Sequence, residues 1–366
     1  MKTVQKLLAM VLALMMLVTM SGIAQAEFAP VSKDEIKVGM VYIGDVSDMG
    51  YTYMHHQATL AMQKSLGLRD DQILIKTNIS EDAACEAALL ELIEQGCNII
   101  FAASWGFMPY VAEMAEEYPD VIFTHCSGNQ SNDTNFNNYF GRIYQPRYLA
   151  GIAAGLRTKT NKLGYVGAYD NSEVNGGINA FTLGALSVNP NAEVYVKYTN
   201  SWYDPTLERQ FAEALLDMGC DVIAQHVDTA MPQLAAQERG AWGCGYNADM
   251  TESAPNAHLC APIWHWDVCV TAQVKQVIEG TWKPENSFLG ISEGMVDISP
   301  LTANCAEGTA EAVEAARAKI LSGEFDVFDG EIKDNTGAVR VPAGERLSDD
   351  DIKNGMNWLV QGAIVK

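Results

Sequence analysis

Between positions 36 and 300 the apolar residues alternate between two textures. Short, nearly unbroken runs such as IKVGMVY (36–42), CNIIFAA (97–103) and DVIFTH (120–125) read as strands buried on both faces. Longer stretches such as EAALLELIEQ (86–95) and RQFAEALLDM (209–218) space their apolar residues three and four apart, as one face of a helix requires. Strand then helix, repeated, predicts parallel sheets covered by helices on both sides. Capping residues agree with this. Asp48 is placed to cap a helix ending at Gly67, and Asp204-Pro205 opens another that ends at Gly219.

The alternation itself occurs twice. EAALLELIEQGCNIIFAAS (86–104) and RQFAEALLDMGCDVIAQHV (209–227) both give a helix, a Gly-Cys turn and a buried strand, offset by 123 residues. IKVGMVYIGDVSD (36–48) matches NKLGYVGAYDNSE (161–173) at an offset of 125, and DVIFTH faces AWGCGY (241–246) at 121. Three blocks in one order at nearly one spacing predict two similar open α/β lobes, each a doubly wound parallel sheet. Ligands of such sheets bind beyond the carboxyl ends of the strands, so two lobes enclose a cleft.

Those strand ends carry Asp45–His56, Ser104–Phe107 and His125–Asn129 in the first lobe. The second supplies Asp170–Asn175, NSWYD (200–204), His226-Val227-Asp228, Asn247–Asp249 and IWHW (263–266). Aromatic rings and single polar groups dominate, and lysine and arginine are missing. Such a cleft suits a flat, uncharged ring rich in heteroatoms: stacking supplies affinity and a few donors and acceptors fix orientation.

The first 26 residues change the compartment. Lys2 and Lys6 precede an apolar run from Leu7 to Met20, followed by Ala24-Gln25-Ala26, the pattern of an export signal cleaved near Ala26. The run is shorter than the roughly 20 residues of a membrane-spanning helix. No cysteine precedes Cys85, so no lipid anchor is expected on the mature chain. Losing Lys2 and Lys6 takes the formal charge from −22 to −24, which argues against nucleic acid, anionic lipid and highly phosphorylated ligands. The eight cysteines allow many pairings. Cys244 and Cys260, on consecutive predicted strands, are the expected bridge, the alternative being small buried thiols. No CxxC or HExxH is present, and the six histidines lack metal-ligand spacing, so neither metal nor cofactor is expected.

Across the whole mature chain and in order, the blocks MGYTYMHH, YLAGIAAG, NKLGYVGAY, GINAFTLGALSVNP, NSWYDP, GYNADM, EGMVDISP, VRVPAGE and MNWLVQG resemble the basic-membrane-protein family of solute-binding proteins, which serve ABC importers. The resemblance implies the type I periplasmic binding protein fold, two Rossmann-like lobes joined by three crossover strands, and a purine nucleobase or nucleoside as ligand. It places stacking rings at Tyr51 and Trp202 and a ligand-binding acid at Asp249, whose alternative role is a helix cap. Nucleoside-binding members carry a lysine where this chain has Trp264. A tryptophan there is expected to fill the space of a sugar, so a free base, adenine or a close purine, is the expected ligand. Relatives with this pattern usually have His-Asp where this chain has His55-His56, and a neutral imidazole offers a donor and an acceptor where a carboxylate only accepts.

The expected contacts are therefore Tyr51, Trp202, Asp249 and Trp264, with His55 or His56 reading a ring edge and Asp48, Trp105, Asp228 and His226 at the rim of the cleft. Trp266 is expected as a cleft wall and Tyr53 as packing. His125 and His226 each follow a strand and either line the cleft or sit buried on a backbone partner. The expected division is 27–135 with 266–292 for lobe 1, and 136–265 with 293–366 for lobe 2, including a helix over 308–322 and the tail. Crossovers fall near 129–138, 263–266 and 291–297. A secreted hydrolase or deaminase is the competing class, and no GxSxG elbow or zinc-deaminase signature supports it. A regulator of transcription fails on the export signal and the absence of a helix-turn-helix segment. The expectation is a monomeric periplasmic receptor that closes on its ligand and presents it to a membrane permease.

Overall fold

The computed structural model describes residues 28–366, so the export signal and its cleavage point lie outside the described residues. The first sheet comprises β1 (Val38–Tyr42), β2 (Ile73–Lys76), β3 (Ile99–Ala103), β4 (Ile122–Cys126) and β5 (Phe136–Gly141), connected through α1 (Tyr51–Leu66), α2 (Ala83–Glu94) and α3 (Met108–Glu117). These strands are parallel in the order β2-β1-β3-β4-β5. Every position of β1 and β3 is buried, which is why both read as continuous apolar runs.

After Arg142-Ile143 the chain enters the second lobe through α4 (Tyr144–Arg157). Its sheet holds β6 (Lys162–Gly167), β7 (Glu193–Tyr198), β8 (Val222–Gln225), β9 (Trp242–Cys244) and β10 (His258–Cys260), with α5 (Ser172–Val188), α6 (Pro205–Asp217) and α7 (Met231–Glu238). The order β7-β6-β8-β9-β10 repeats that of the first sheet. Helices α4 and α5 meet backbone to backbone: a Cβ at Gly151 would lie 2.1 Å from the Phe181 carbonyl oxygen, and one at Gly184 2.0 Å from that of Tyr148.

The chain then crosses twice more. β11 (Pro262–Trp264) leads to α8 (Asp267–Glu279) and β12 (Ser287–Leu289), which joins the first sheet beside β5; β13 (Val296–Ile298) returns and pairs antiparallel with β11. α9 (Thr309–Ser322), the hairpin β14 (Ile332–Lys333) and β15 (Val339–Val341), α10 (Asp349–Asn354) and β16 (Ala363–Val365) finish the second lobe, with β16 parallel to β7.

Two expectations need correction. The first lobe does not stop at residue 135, because Phe136–Gly141 pairs with β4 and β12, so the first crossing falls after Gly141. Its Asn137 and Asn138 concealed this: both amides are buried and hydrogen-bonded, Asn137 to Gln273 at 3.0 Å. The expected Cys244–Cys260 bridge is absent and all eight cysteines are free thiols. The two are register partners on adjacent parallel strands, so their side chains lie side by side without a covalent link.

Candidate ligand-binding cleft

The lobes meet at the carboxyl ends of their strands around a cavity of about 340 Å³, open solvent at its mouth included. Ile43, Tyr51, Ser104, Trp105 and Ser127 line it from the first lobe, and Glu173, Trp202, His226, Asp228 and Tyr246 from the second. A wider outer chamber continues from it past Trp202 and Asp228 to Asp48, Glu81 and Tyr203.

Tyr51 is the first residue of α1. Its hydroxyl donates to the Cys126 thiol at 3.3 Å, and the edges of His55 and Trp266 meet it at 4.6 and 6.0 Å, so the ring is held on three sides. Trp202 sits in the loop between β7 and α6, where Tyr169 packs edge-on at 5.0 Å. Its carbonyl accepts from the Asp228 amide at 3.1 Å, which ties this loop to the end of β8. One aromatic from each lobe thus faces the same space.

Two carboxyl groups share it. Glu173 lies in the first turn of α5, where Asn171 takes the capping role by accepting from the Val174 amide at 3.0 Å. The Glu173 carboxyl therefore turns across the cleft and accepts from the Ser127 hydroxyl at 2.7 Å. Burial raises it to about 7, outweighing that bond and the nearby Arg147 guanidinium. Its other oxygen is 3.7 Å from His226 Nε2. Burial also drives His226 well below its ordinary value, so this contact is not an ion pair near neutral pH. Asp228 is raised by burial and by the neighbouring acids Asp48 and Glu208, and it accepts from Asn247 Nδ2 at 3.0 Å.

The expected site residues divide. Tyr51, Trp202, Trp105, Asp228 and His226 line the inner cavity. Asp48 borders only the outer chamber, and its carboxylate is occupied by the amides of Gly50, Thr52 and Tyr53 at 2.8 to 2.9 Å. Asp249 is exposed and lines neither chamber: its Oδ1 accepts from the amide and hydroxyl of Thr251, which closes a turn, and no helix begins there for it to cap. Trp264 lines neither chamber. It is wholly buried, stacks on Trp266 with 4.0 Å between ring centres and donates to Asn247 Oδ1 at 3.0 Å, so it acts on the cavity from behind, through Asn247 and Asp228 and through the Tyr246 ring 6.4 Å away. Its indole therefore does not occupy a sugar's space in the cleft, contrary to expectation.

His55 also points inward. It stacks on Trp266 at 4.5 Å with both ring nitrogens unpartnered, and burial lowers it to about 3, so it reads no ligand edge. His56 lies beyond it on α1, edge-on to Tyr42 at 6.4 Å, and lines neither chamber. Trp266 is buried between His55 and Trp264, behind Tyr51, and is not a wall. His125 takes the buried alternative, its Nε2 2.7 Å from the Ser104 carbonyl oxygen.

Glu173, Ser127 and Asn247 are not singled out by the sequence, although each lies in a segment assigned to a strand end, and Tyr246 directly precedes one. The available signal for Glu173 was the Asn171 cap two residues before it, which relieves the glutamate of that duty. Tyr246 is backed by the Arg147 guanidinium at 3.9 Å, itself buried and bonded to Tyr165 and Gln225. That cation is hidden in the α4 sequence, far from any strand end.

Residues 35–331 match the family model of PnrA-like ABC transporter substrate-binding proteins. The chain is 37% identical over 343 residues to a purine-binding protein of Brucella abortus (strain 2308), covering 94% of this chain and 95% of that one. It is 34% identical over 301 residues, 82% of this chain and 76% of the other, to a Haloferax volcanii protein provisionally named an ABC transporter glucose-binding protein. Among solved structures, a solute-binding protein of an ABC transporter system from Aeropyrum pernix K1 superposes with a TM-score of 0.70 at 20% identity, over 88% of this chain and 98% of that one. That likeness bears on the fold, which is the type I fold of periplasmic binding proteins. No helix among the described residues is long and apolar enough to cross a membrane. The chain belongs to the PnrA-like family of ABC transporter substrate-binding proteins: extracytoplasmic, non-enzymatic receptors that hand a small molecule to a permease.

Proposed function

We propose that the protein binds a purine base, adenine before its relatives, between Tyr51 and Trp202, and that the lobes close over it. The observation that carries this reading is the cavity's composition: aromatic rings from both lobes, Tyr51 and Trp105 from the first and Trp202 and Tyr246 from the second, together with two buried carboxyl groups. Stacking of a base on an aromatic contributes roughly 1 to 3 kcal/mol per face. Two faces would supply about half of the ~8 kcal/mol of a micromolar complex.

Preference for adenine follows from protonation. A carboxyl group that keeps its proton donates through O–H and accepts through C=O, which complements adenine's pairing of a ring nitrogen with an exocyclic amine. Guanine presents two adjacent N–H donors on its corresponding edge and needs an ionised carboxylate. Burial holds Glu173 near 7 and Asp228 above the usual carboxylate range, which favours the adenine pattern at and below neutral pH. The Brucella relative's name as a purine-binding protein supports the ring class.

Isothermal titration with adenine, guanine, hypoxanthine, xanthine, adenosine and glucose tests the reading. Adenine is expected to bind most tightly, and to weaken as pH rises through about 7 while Glu173 ionises. Tighter binding of adenosine would replace the base with the nucleoside. Tighter binding of glucose would replace the ring class altogether, in keeping with the name of the Haloferax relative.

A further inference from the structure

Behind the Ser127–Glu173 contact lies a second cavity of about 420 Å³, and it shares Trp105, Ser127 and Glu173 with the first. Both lobes build it. Phe140 and Phe288 contribute stacked rings, 6.2 Å apart, from the adjacent strands β5 and β12, while Ile352 and Lys353 come from α10. Tyr144, at the first crossing, closes one side against Phe288. The cavity's volume includes open solvent at its mouth, and its walls are mainly apolar with a few placed polar groups, the composition of small-molecule sites.

Two details suit it to an occupant. On α5 the wall is left bare at Gly176, where an added Cβ would meet nothing closer than Met356 Cγ at 3.8 Å. At the far end the half-buried Lys353 ammonium has a single hydrogen bond among the described residues, a 3.4 Å contact with the neutral amide oxygen of Asn138. The ammonium also lies over the Phe288 ring at 5.7 Å, with Asp349 and Asp350 near it on α10, and the other charged residue lining the cavity is Glu173.

We propose that this cavity is a subsite for a substituent on the ring held between Tyr51 and Trp202, and that the substituent is an apolar arm ending in an oxygen acceptor that meets Lys353. The ring would occupy the first cavity and the arm would pass the Ser127–Glu173 contact. The proposal rests on the purine reading of the first cavity. On this view the natural ligand pool includes alkylated purines as well as the bare base.

The test is titration of adenine and of adenines carrying one short alkyl arm at the exocyclic amine, N7 or N9, each arm ending in methyl or carboxylate. Wild type is compared with Gly176→Leu, which fills the cavity, and Lys353→Met, which removes its cation. One attachment point is expected to bind about tenfold tighter than adenine, roughly the burial of two methylenes. Gly176→Leu is expected to abolish that gain, and Lys353→Met only the additional gain of the carboxylate-ended arm. Adenine itself is expected to change by less than about twofold in both variants, which also reports intact folding. If adenine binds and no arm improves on it, or if the gain survives in Gly176→Leu, the subsite is wrong and the purine reading stands. If no purine binds at all, both fall.

Discussion

In the offset of 125 residues that relates the lobes, Asp48 and Glu173 fall at matching sequence positions, Asp48 in the loop before α1 and Glu173 inside the first turn of α5. The two do different work. Asp48 spends its oxygens on the amides of Gly50, Thr52 and Tyr53, and so serves as the cap of α1. In the second lobe Asn171 caps α5, and the longer Glu173 side chain crosses to Ser127 of the first lobe. Burial raises both acids, but in Asp48 three amide bonds oppose the shift, whereas Glu173 reaches about 7. Positions matched by sequence offset thus differ in backbone too, because α5 begins sooner after its strand than α1 does. Where a neighbouring residue satisfies the helix end, the acid is released for the ligand.

The largest expected effect comes from breaking the contact between the lobes. A Cβ at Gly50 would lie 2.1 Å from the Asp228 carbonyl oxygen. Gly50→Ala is expected to hold the lobes apart and weaken ligand binding by about a hundredfold or more. Small-angle scattering should then show an open form, with or without ligand. Unchanged affinity would show that closure does not bring these segments together.

Replacing Glu173 with glutamine sharpens the contrast with Asp48. A carboxyl raised from 4.5 to about 7 stabilises the fold fully below the lower value, and that contribution is lost as pH rises to about 7. In wild type it amounts to roughly 3 kcal/mol at most. Glu173→Gln should flatten this part of the pH dependence of Tm and make adenine affinity nearly independent of pH. Asp48→Ala should instead cost about 1 kcal/mol of stability through the cap and leave the step at Glu173 in place, while bringing the Asp228 pKa down by removing an acid beside it.

Tyr51→Ala and Trp202→Ala take one ring from each lobe. Each is expected to weaken purine binding by between about fivefold and 150-fold, corresponding to 1 to 3 kcal/mol. If only one of the two matters, the ring is not held between lobes.

Trp264→Phe removes the donor to Asn247 and leaves a buried acceptor unpaired, a cost of about 1 kcal/mol in thermal stability. A fewfold loss of affinity would accompany it if Asn247 orients Asp228. The smallest effect is expected at Asp249→Asn, where titration should give the wild-type affinity within about twofold because the side chain lies outside the cleft.

The architecture was legible along the chain because it depends on patterns that repeat: buried strands of one composition, amphipathic helices and left-handed glycines such as Gly67 and Gly219 at or just beyond helix ends. The same patterns placed the cleft, and the family resemblance named two of its aromatic walls, Tyr51 and Trp202. They did not distinguish Asn247 from Asp249, or Tyr51 from His55, since neighbours on one loop or helical turn look alike until packing points one inward and another away. The family resemblance is limited in the same way. It assigns Asp249 to the ligand, yet the exposed acid closes a turn, while the neutral Asn247 is buried and joins Trp264 to Asp228.

Local spacing by itself therefore determined the lobes, their strand-and-helix order and the end at which they face one another, because each is a property of segments with their own periodicity. Only the folded chain decided which acid keeps its proton, which tryptophan touches the cavity and that a second chamber opens behind Glu173. Those depend on desolvation and on contacts between residues separated by a hundred positions or more, such as Asn138 and Lys353, and no stretch of sequence contains both partners.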